Sequence, residues 1–331
     1  MTEQYLRTVK VAIDGGKTFT YDGTIPDDIA DGRGQGPGLR IRFDVHQRDS
    51  STPNYANIFI YNLSDASQQP AMIRGKTVTL SAGYGGNAQV IFKGQVIQAR
   101  ANVRESPMEP DTALAILATD SGLARNNAVV NKTLAAGHTH NDRAQVALDA
   151  LKAMGVQTGY IATDALSKVK FPRGFACFGM AKDLLRQTCA ATKTSFSIQN
   201  GKAYIVENSK PIPGGTTVLR GDTGLIGLPV QTIQGIEGQT LLNPQLHVYS
   251  LVQIESRLIQ QSAISPAYNS ANQNYYLDSE RLAADGIYKL YVVEHYGDTR
   301  GNDFYTSFVG VRNGALPNPA LATRLVPEAN N

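Results

Sequence analysis

Two histidines at alternate positions, His138 and His140, are the first residues whose spacing could do chemistry. On a strand they would share a face and could hold a metal ion. No carboxylate or third histidine stands at a useful spacing from them, and the chain has only five histidines. The pair reads as a loop leading into a helix, and no metal site is assigned. Glu294 and Asp298 flank His295, a carboxylate–histidine grouping suited to acid–base work. Glu294 and His295 are neighbours on a strand, however, and so point to opposite faces. The glycine-rich GYGGNA at 83–88 lies between two strands. A phosphate-binding loop needs a helix N-terminus after it, so this reads as a hairpin turn. Neither Gly-x-Ser-x-Gly nor His-Glu-x-x-His occurs. Cys177 and Cys189 are twelve positions apart and fit no zinc spacing. They read as reduced, packed thiols. Tyr268, Tyr275, Tyr276, Tyr288, Tyr291, Tyr296, Phe304 and Tyr305 could form a stacking platform, but aromatics this dense suit a core or a subunit interface. Catalytic, cofactor and metal residues are therefore expected to be absent.

The elements that must position these residues are mostly strands. LRIRFDVHQ (39–47) alternates, with Leu39, Ile41, Phe43 and Val45 on one side and Arg40, Arg42, Asp44 and His46 on the other. Further strands are expected over 55–63, 77–82, 89–92 and 96–103, and over 112–119 with a helical alternative. Helices are predicted over about 120–127, from Thr139 or Asn141 to about Met154, and over about 179–193. Asn200-Gly201 between alternating runs marks a hairpin over 195–206. PIPGG (211–215) reads as a linker. Beyond it, strands are expected over 228–238, 246–256, 287–296 and 304–311, with loop or short helix over 263–285.

The resulting fold class is α+β and β-rich: two antiparallel β-barrel or sandwich domains with an inserted α/β domain. The expected division is 1–110 for the first β-domain, 111–194 for the insertion and 195–225 for a hairpin and linker that could also complete the first domain. Residues 226–312 form the second β-domain, and 313–331 an extended tail.

Charged residues are 18% of the 331, against a usual value of about 25%. A chain so lightly charged suits a protein covered by neighbours. Net charge is +3, and no segment forms a basic tail, which excludes a dedicated nucleic-acid binder. No apolar signal core opens the sequence, and no apolar run approaches the ~20 residues that span a bilayer. The chain is expected to fold in a cytoplasm and not to insert into a membrane.

Several short motifs carry a more specific signal. They are Gly227-Leu228-Pro229, Leu241-Leu242-Asn243-Pro244, Gly286-Ile287-Tyr288 and His295-Tyr296-Gly297-Asp298. With them go Asp120-Ser121-Gly122, Asn131-Lys132-Thr133-Leu134, Ala136-Gly137-His138-Thr139, RIRFDVHQRD and ANIFIYNLS. Together, over roughly 5–312, they resemble the baseplate hub proteins of tailed phages. Ser121, and Phe304 where a Trp is common, depart from the pattern as packing changes.

The resemblance implies two tube-protein-like β-domains per subunit and a homotrimer with six similar β-domains in a ring. It implies a tail tube or distal tail protein on one face and a trimeric spike or tail-tip protein on the other. The tape measure protein and then DNA would pass through the channel without specific binding. The protein would act in the virion tail baseplate after assembly in the host bacterial cytoplasm. Strand sides facing the channel are expected to be neutral or acidic. The chain termini of strands 76–82 and 287–296 are expected to face the ring interior or subunit seams, because their unpaired edges would otherwise invite aggregation. Gly297, Asp298, Thr299, Arg300 and Gly301 read either as an exposed hairpin turn or as a contact loop whose Asp298 and Arg300 make rim ion pairs. Asn243, Pro244 and Tyr296 join them as interface candidates. Rival readings are a tail-associated cell-wall-degrading enzyme, a tail-tube or head-completion protein, and the hub of a non-viral contractile injection system.

Overall fold

The computed structural model describes residues 6–16, 18–25, 38–50, 52–69, 75–85, 87–104, 111–120, 122–232, 235–261, 283 and 286–313. Ser121, Tyr268, Tyr275, Tyr276, most of the 263–285 segment and the tail beyond Asn313 lie outside them. The first β-unit contains β1 (Arg7–Ile13), β2 (Thr18–Asp22), β3 (Ile41–Arg48) and β4 (Tyr55–Tyr61). After the single turn α1 (Asp65–Gln68) come β5 (Thr77–Tyr84), β6 (Asn87–Val103) and β7 (Ala113–Thr119). The middle holds α2 (Gly122–Asn127), β8 (Val129–Leu134), α3 (His140–Ala153), β9 (Gln157–Ile161) and α4 (Thr163–Leu166). It continues with β10 (Phe175–Met180), α5 (Ala181–Thr192), β11 (Thr194–Gln199) and β12 (Lys202–Glu207). The second β-unit is β13 (Thr216–Leu219), β14 (Leu225–Thr232), β15 (Gly235–Leu241), β16 (Leu251–Ile254), β17 (Gln260–Gln261), β18 (Ile287–Asp298) and β19 (Phe304–Arg312).

Among the described residues both β-units belong to one 14-stranded sheet, twelve strands of which run β17-β14-β15-β19-β18-β3-β4-β7-β6-β5-β1-β2, while β16 and then β13 branch from β18. β18 makes the join. Its first residues pair with β16, Tyr288 opposite Val252, and its later ones with β3, Glu294 opposite His46. Strand alternation then divides the sheet. Phe43, Val45, Ala56, Ile58, Ile60, Leu114 and Ile116 face one core, with Val9, Leu80 and Phe92 closing over it. Val252, Ile254, Tyr288, Leu290, Val293 and Phe308 build a second core. The opposite face, carrying Asp44, Asn57, Glu237, Gln239, Glu294, Tyr296, Tyr305 and Ser307, stays half-exposed.

The middle has its own core, formed where α3 and α5 pack on β8–β10 and on the β11-β12-β9 sheet. Thr139 caps α3 with a reciprocal Asp142 bond, which settles the choice between Thr139 and Asn141. The hairpin at Asn200-Gly201 forms as expected. It pairs with β9 and buries Phe196, Ile198, Ala203 and Ile205 in the middle core.

Two strand expectations need correction. Residues 228–238 do not form one strand; they fall on β14 and β15, which fold back on each other. Gly235 begins the return with φ +130°, and a Cβ there would meet the Gly310 carbonyl oxygen at 2.3 Å, so only glycine allows the reversal. Over 246–256 only β16 is a strand. Leu246, Val248 and Tyr249 instead enter the second core from a tight turn. The expected unpaired edges are also absent from strands 76–82 and 287–296. β5 lies between β1 and β6, and β18 lies between β19 and β3.

Candidate functional site

The most highly organised chemistry lies on the open face, where β3 meets β18. Asp44, His46 and Arg48 alternate along β3 opposite Tyr296, Glu294 and Val292. His46 is 3% exposed. Its Nδ1 lies 2.9 Å from Glu294 Oε1 and its Nε2 2.8 Å from Asp44 Oδ1, and its ring stacks on Tyr55 at 4.6 Å. Arg48 reaches the same Glu294 oxygen at 3.0 Å, while the Tyr296 hydroxyl donates to the other at 2.5 Å. Burial alone would lower the His46 pKa, but the two carboxylates beside it, Asp44 and Glu294, outweigh it and raise it to about 9. Burial would raise Glu294, but His46, Tyr296 and Arg48 hold it at about 2. The result is an imidazolium locked between two carboxylates, so it has no free lone pair for base catalysis. Its use is registration: a one-residue slip of β18 would turn Glu294 to the other face and leave His46 and Arg48 without it.

This arrangement sets a pH dependence. A histidine raised from 6.5 to about 9 contributes fully below pH 6.5 and loses its contribution as pH climbs through about 9. At 1.36 kcal/mol per pH unit that is about 3 kcal/mol. Urea unfolding should show falling stability from pH 6.5 to 9, and His46→Gln should flatten that limb. An unchanged limb in the variant would reject the ion-pair account. Glu294 gives the acid side of the same interaction, present above pH 4.5 and lost towards pH 2.

The turn after β18 is latched to the first β-unit. Asp298, 7% exposed, receives Arg40 Nη2 at 2.7 Å and the Arg300 backbone N–H at 2.9 Å. Burial opposes ionisation, and these donors still leave its pKa below the usual value. Thr299 and Ile41 exchange two hydrogen bonds at 2.9 and 3.0 Å. Arg7 donates to the carbonyls of Asp298, Gly301 and Asn302, with its guanidinium over the Phe304 ring. Arg300 remains outside, with one long bond to the Gly38 carbonyl. Gly297 lies within β18, ahead of the turn, and a Cβ there would meet the Phe43 ring at 2.3 Å and Phe304 at 2.9 Å. Gly297→Ala should therefore lower stability by about 1–3 kcal/mol through overpacking. A chemical-denaturation midpoint equal to the parent's would contradict this.

Leu241-Leu242-Asn243-Pro244 forms the neighbouring corner. Leu242, 1% exposed, enters the first unit's core although it follows a strand of the second. The Asn243 side chain accepts the Gln245 N–H at 3.0 Å, fixing the turn, and Pro244 is half-exposed beside it. Behind the seam, Asp49 of the first unit accepts the hydroxyls of Tyr249 at 2.6 Å and Ser195 at 3.2 Å, joining all three parts of the chain.

The other candidates scatter. His138 bonds the Ala135 carbonyl and Arg143, and stacks on Phe171, immediately before α3. His295 faces the core against Thr306, away from Glu294, and burial lowers its pKa to about 3. Tyr288, Tyr291 and Phe304 are buried, whereas Tyr296 and Tyr305 lie opposite each other on the half-exposed face of β18 and β19. Cys177 and Cys189 are buried free thiols, and burial drives Cys189 up to about 11. GYGGNA is the β5–β6 turn. Among the described residues no three His, Cys, Asp or Glu side chains are arranged to hold a metal ion. Sequence reasoning placed Arg40 and His46 on a solvated strand face. It gave no role to Arg7, Arg48, Asp49 or Tyr249, because their partners lie about 150 to 295 residues away.

The baseplate hub gp41 family model matches residues 39–279. The chain belongs to the baseplate hub gp41 family. The matched stretch contains β3, the middle part and the corner at Leu242. Solved structures with the same fold extend the agreement over nearly the whole hub chain. The 43 kDa tail protein of prophage MuSo2 from Shewanella oneidensis is 12% identical, with TM-score 0.54, over 94% of this chain and 99% of that one. A tail protein from Neisseria meningitidis MC58 is 8% identical, with TM-score 0.55, over 94% and 98%. The Escherichia coli c3393 protein, a type VI secretion component structurally similar to T4 tail proteins gp27 and gp5, is 12% identical. Its TM-score is 0.52 over 93% of this chain and 79% of that one. No curated protein sequence matches this hub chain. The protein is a structural component of the phage tail baseplate.

Proposed function

We propose that three copies of this chain form the hub ring of the baseplate, with six similar β-units around a channel. The supporting observation is a repeat in strand order. The first unit reads β3-β4-β7-β6, and the second reads β14-β15-β19-β18. In each, an earlier hairpin and a later hairpin meet through their second strands. Within the chain, β18 of one unit pairs with β3 of the other. Applied again around a ring, the same operation pairs β6 of one subunit with β14 of the next. That is a heterologous interface which closes after three chains.

Both strands have the edge this requires. Among the described residues, 97–101 of β6 and 226–229 of β14 have no pairing on their outer sides. Each edge carries a bulge and an exposed apolar side chain, Ile97 at 39% and Leu228 at 48%. Bulges keep a free edge from pairing indiscriminately. The half-exposed face of the sheet would then line the channel. Asp44, Glu237 and Glu294 there stand against Arg42, Arg48, His46 and Arg100, so passing DNA meets a nearly balanced wall and not a row of cations that would hold its phosphates.

In this reading the tail tube or distal tail protein stacks on one face of the ring and a spike or tail-tip protein on the other. The tape measure protein and DNA pass through, and assembly takes place in the host cytoplasm. The exposed outer side of the 299–303 turn, with Arg300, and the corner at Asn243 and Pro244 are its axial contact points. The two tube-like domains are then the β-units β1–β7 and β13–β19, with α2–β12 as the insertion, so the expected bounds 1–110, 111–194 and 226–312 shift: β7 joins the first domain, the 195–206 hairpin the insertion and β13 the second domain. Ile97→Lys and Leu228→Lys should each leave the monomer's circular dichroism and melting temperature unchanged while sharply lowering the yield of complete tails. Normal tail yield from both variants would overturn the β6–β14 junction.

A further inference from the structure

We propose that a pocket between the first β-unit and α5 binds a carboxylate of a neighbouring protein chain, gripped by Arg125, Lys182 and Arg186. The pocket holds about 240 Å³ and is lined by these three cations, Asp49, Thr194, Ser195 and the apolar walls of Cys189, Ala190 and Phe196.

Arg125 is the informative residue. It is 5% exposed, yet its guanidinium has no hydrogen-bond acceptor among the described residues. Asp120 acts on it only through space, and both Asp120 oxygens accept from Asn54. A guanidinium this buried, with no acceptor among the described residues, must be completed by water or by an anion at the pocket opening. Lys182 and Arg186 offer only marginal internal bonds, each 3.5 Å long, to Asn126 and Asp183. The one acid in the lining, Asp49, already accepts from Tyr249 and Ser195. Three cations with unused donors therefore converge on one opening.

Size and lining identify the anion. The volume is below the ~300–1,000 Å³ of small-molecule sites and suits one side chain or chain end. Three cations beside an apolar wall are no track for a nucleic-acid backbone, which needs a series of phosphate contacts. A carboxylate carried next to an apolar group fits both halves of the lining, and guanidinium pairs with carboxylate in a bidentate fork. The inference concerns the isolated chain and does not depend on the ring.

Calorimetric titration of the full-length protein with acetyl-leucine, its carboxamide and inorganic phosphate tests it. Acetyl-leucine should bind, the carboxamide should not, and phosphate should bind more weakly than acetyl-leucine. Arg125→Met should abolish binding. The surface double variant Lys182→Gln/Arg186→Gln, which keeps Arg125 and the fold, should weaken it at least tenfold. Equal binding of the carboxamide, tighter binding of phosphate, or an unaffected double variant would each overturn the assignment.

Discussion

Glu294→Ala should lower the unfolding free energy by about 3 kcal/mol at pH 6. The carboxylate holds His46, Arg48 and the Tyr296 hydroxyl at once. Removing it leaves the buried His46 and the largely buried Arg48 without their shared counter-charge, and breaking such a group typically costs about 3–5 kcal/mol. Asp44 still touches His46 Nε2, which places the value at the lower end. The loss should shrink towards pH 9 and above, where His46 gives up its proton and no longer needs the partner. Urea titrations at pH 6 and pH 9.5 check both parts. A loss below 1 kcal/mol at pH 6, or one equal at both pH values, would show that the seam is held by backbone pairing and packing alone.

Leu242→Ala should cost about 2–5 kcal/mol, the range for a buried leucine whose surroundings close only partly. Its position gives the change a second signature. Leu242 directly follows a strand of the second β-unit but is buried with Phe43, Leu80 and Phe304 in the first core. The cavity should loosen the join between the units more than either core. Amide exchange should accelerate first at Leu242, whose N–H bonds the Phe304 carbonyl, and at Thr299, bonded to Ile41. Uniform acceleration across the chain, or none, would deny Leu242 this bridging part.

Local patterning made much of this fold legible. Alternation at Leu39, Ile41, Phe43 and Val45 reported a strand with one apolar face, and Asn200-Gly201 reported a hairpin, because both signals lie within a few residues. The polar side of the same strand looked like a solvated face. Nothing near Asp44 and His46 reveals that Glu294, about 250 residues later, lies opposite. The reversal at Gly235 was hidden for another reason: strands continue on both sides of it, and only the close approach to Gly310 shows why the chain turns. Asp298 and Arg300 illustrate the limit of motif reading. Both were expected either in an exposed turn or in rim ion pairs, whereas the distant Arg40 takes Asp298 and Arg300 stays at the surface, bonded to the Gly38 carbonyl. The hub motifs were recognisable because glycine, proline and small corner residues mark backbone geometry. The ionic seam between the units depends on pairings that no local pattern encodes.

The β6–β14 junction decides whether three chains close into a ring. Cryo-electron microscopy of the protein assembled with its neighbouring tail proteins tests this directly. The predicted result is a three-fold ring of six similar β-units, with β6 of each subunit paired to β14 of the next and Glu237, Gln239 and Ser307 facing an open channel. A ring of six chains, or one whose subunits meet through other strands with this face turned away from the channel, would contradict it.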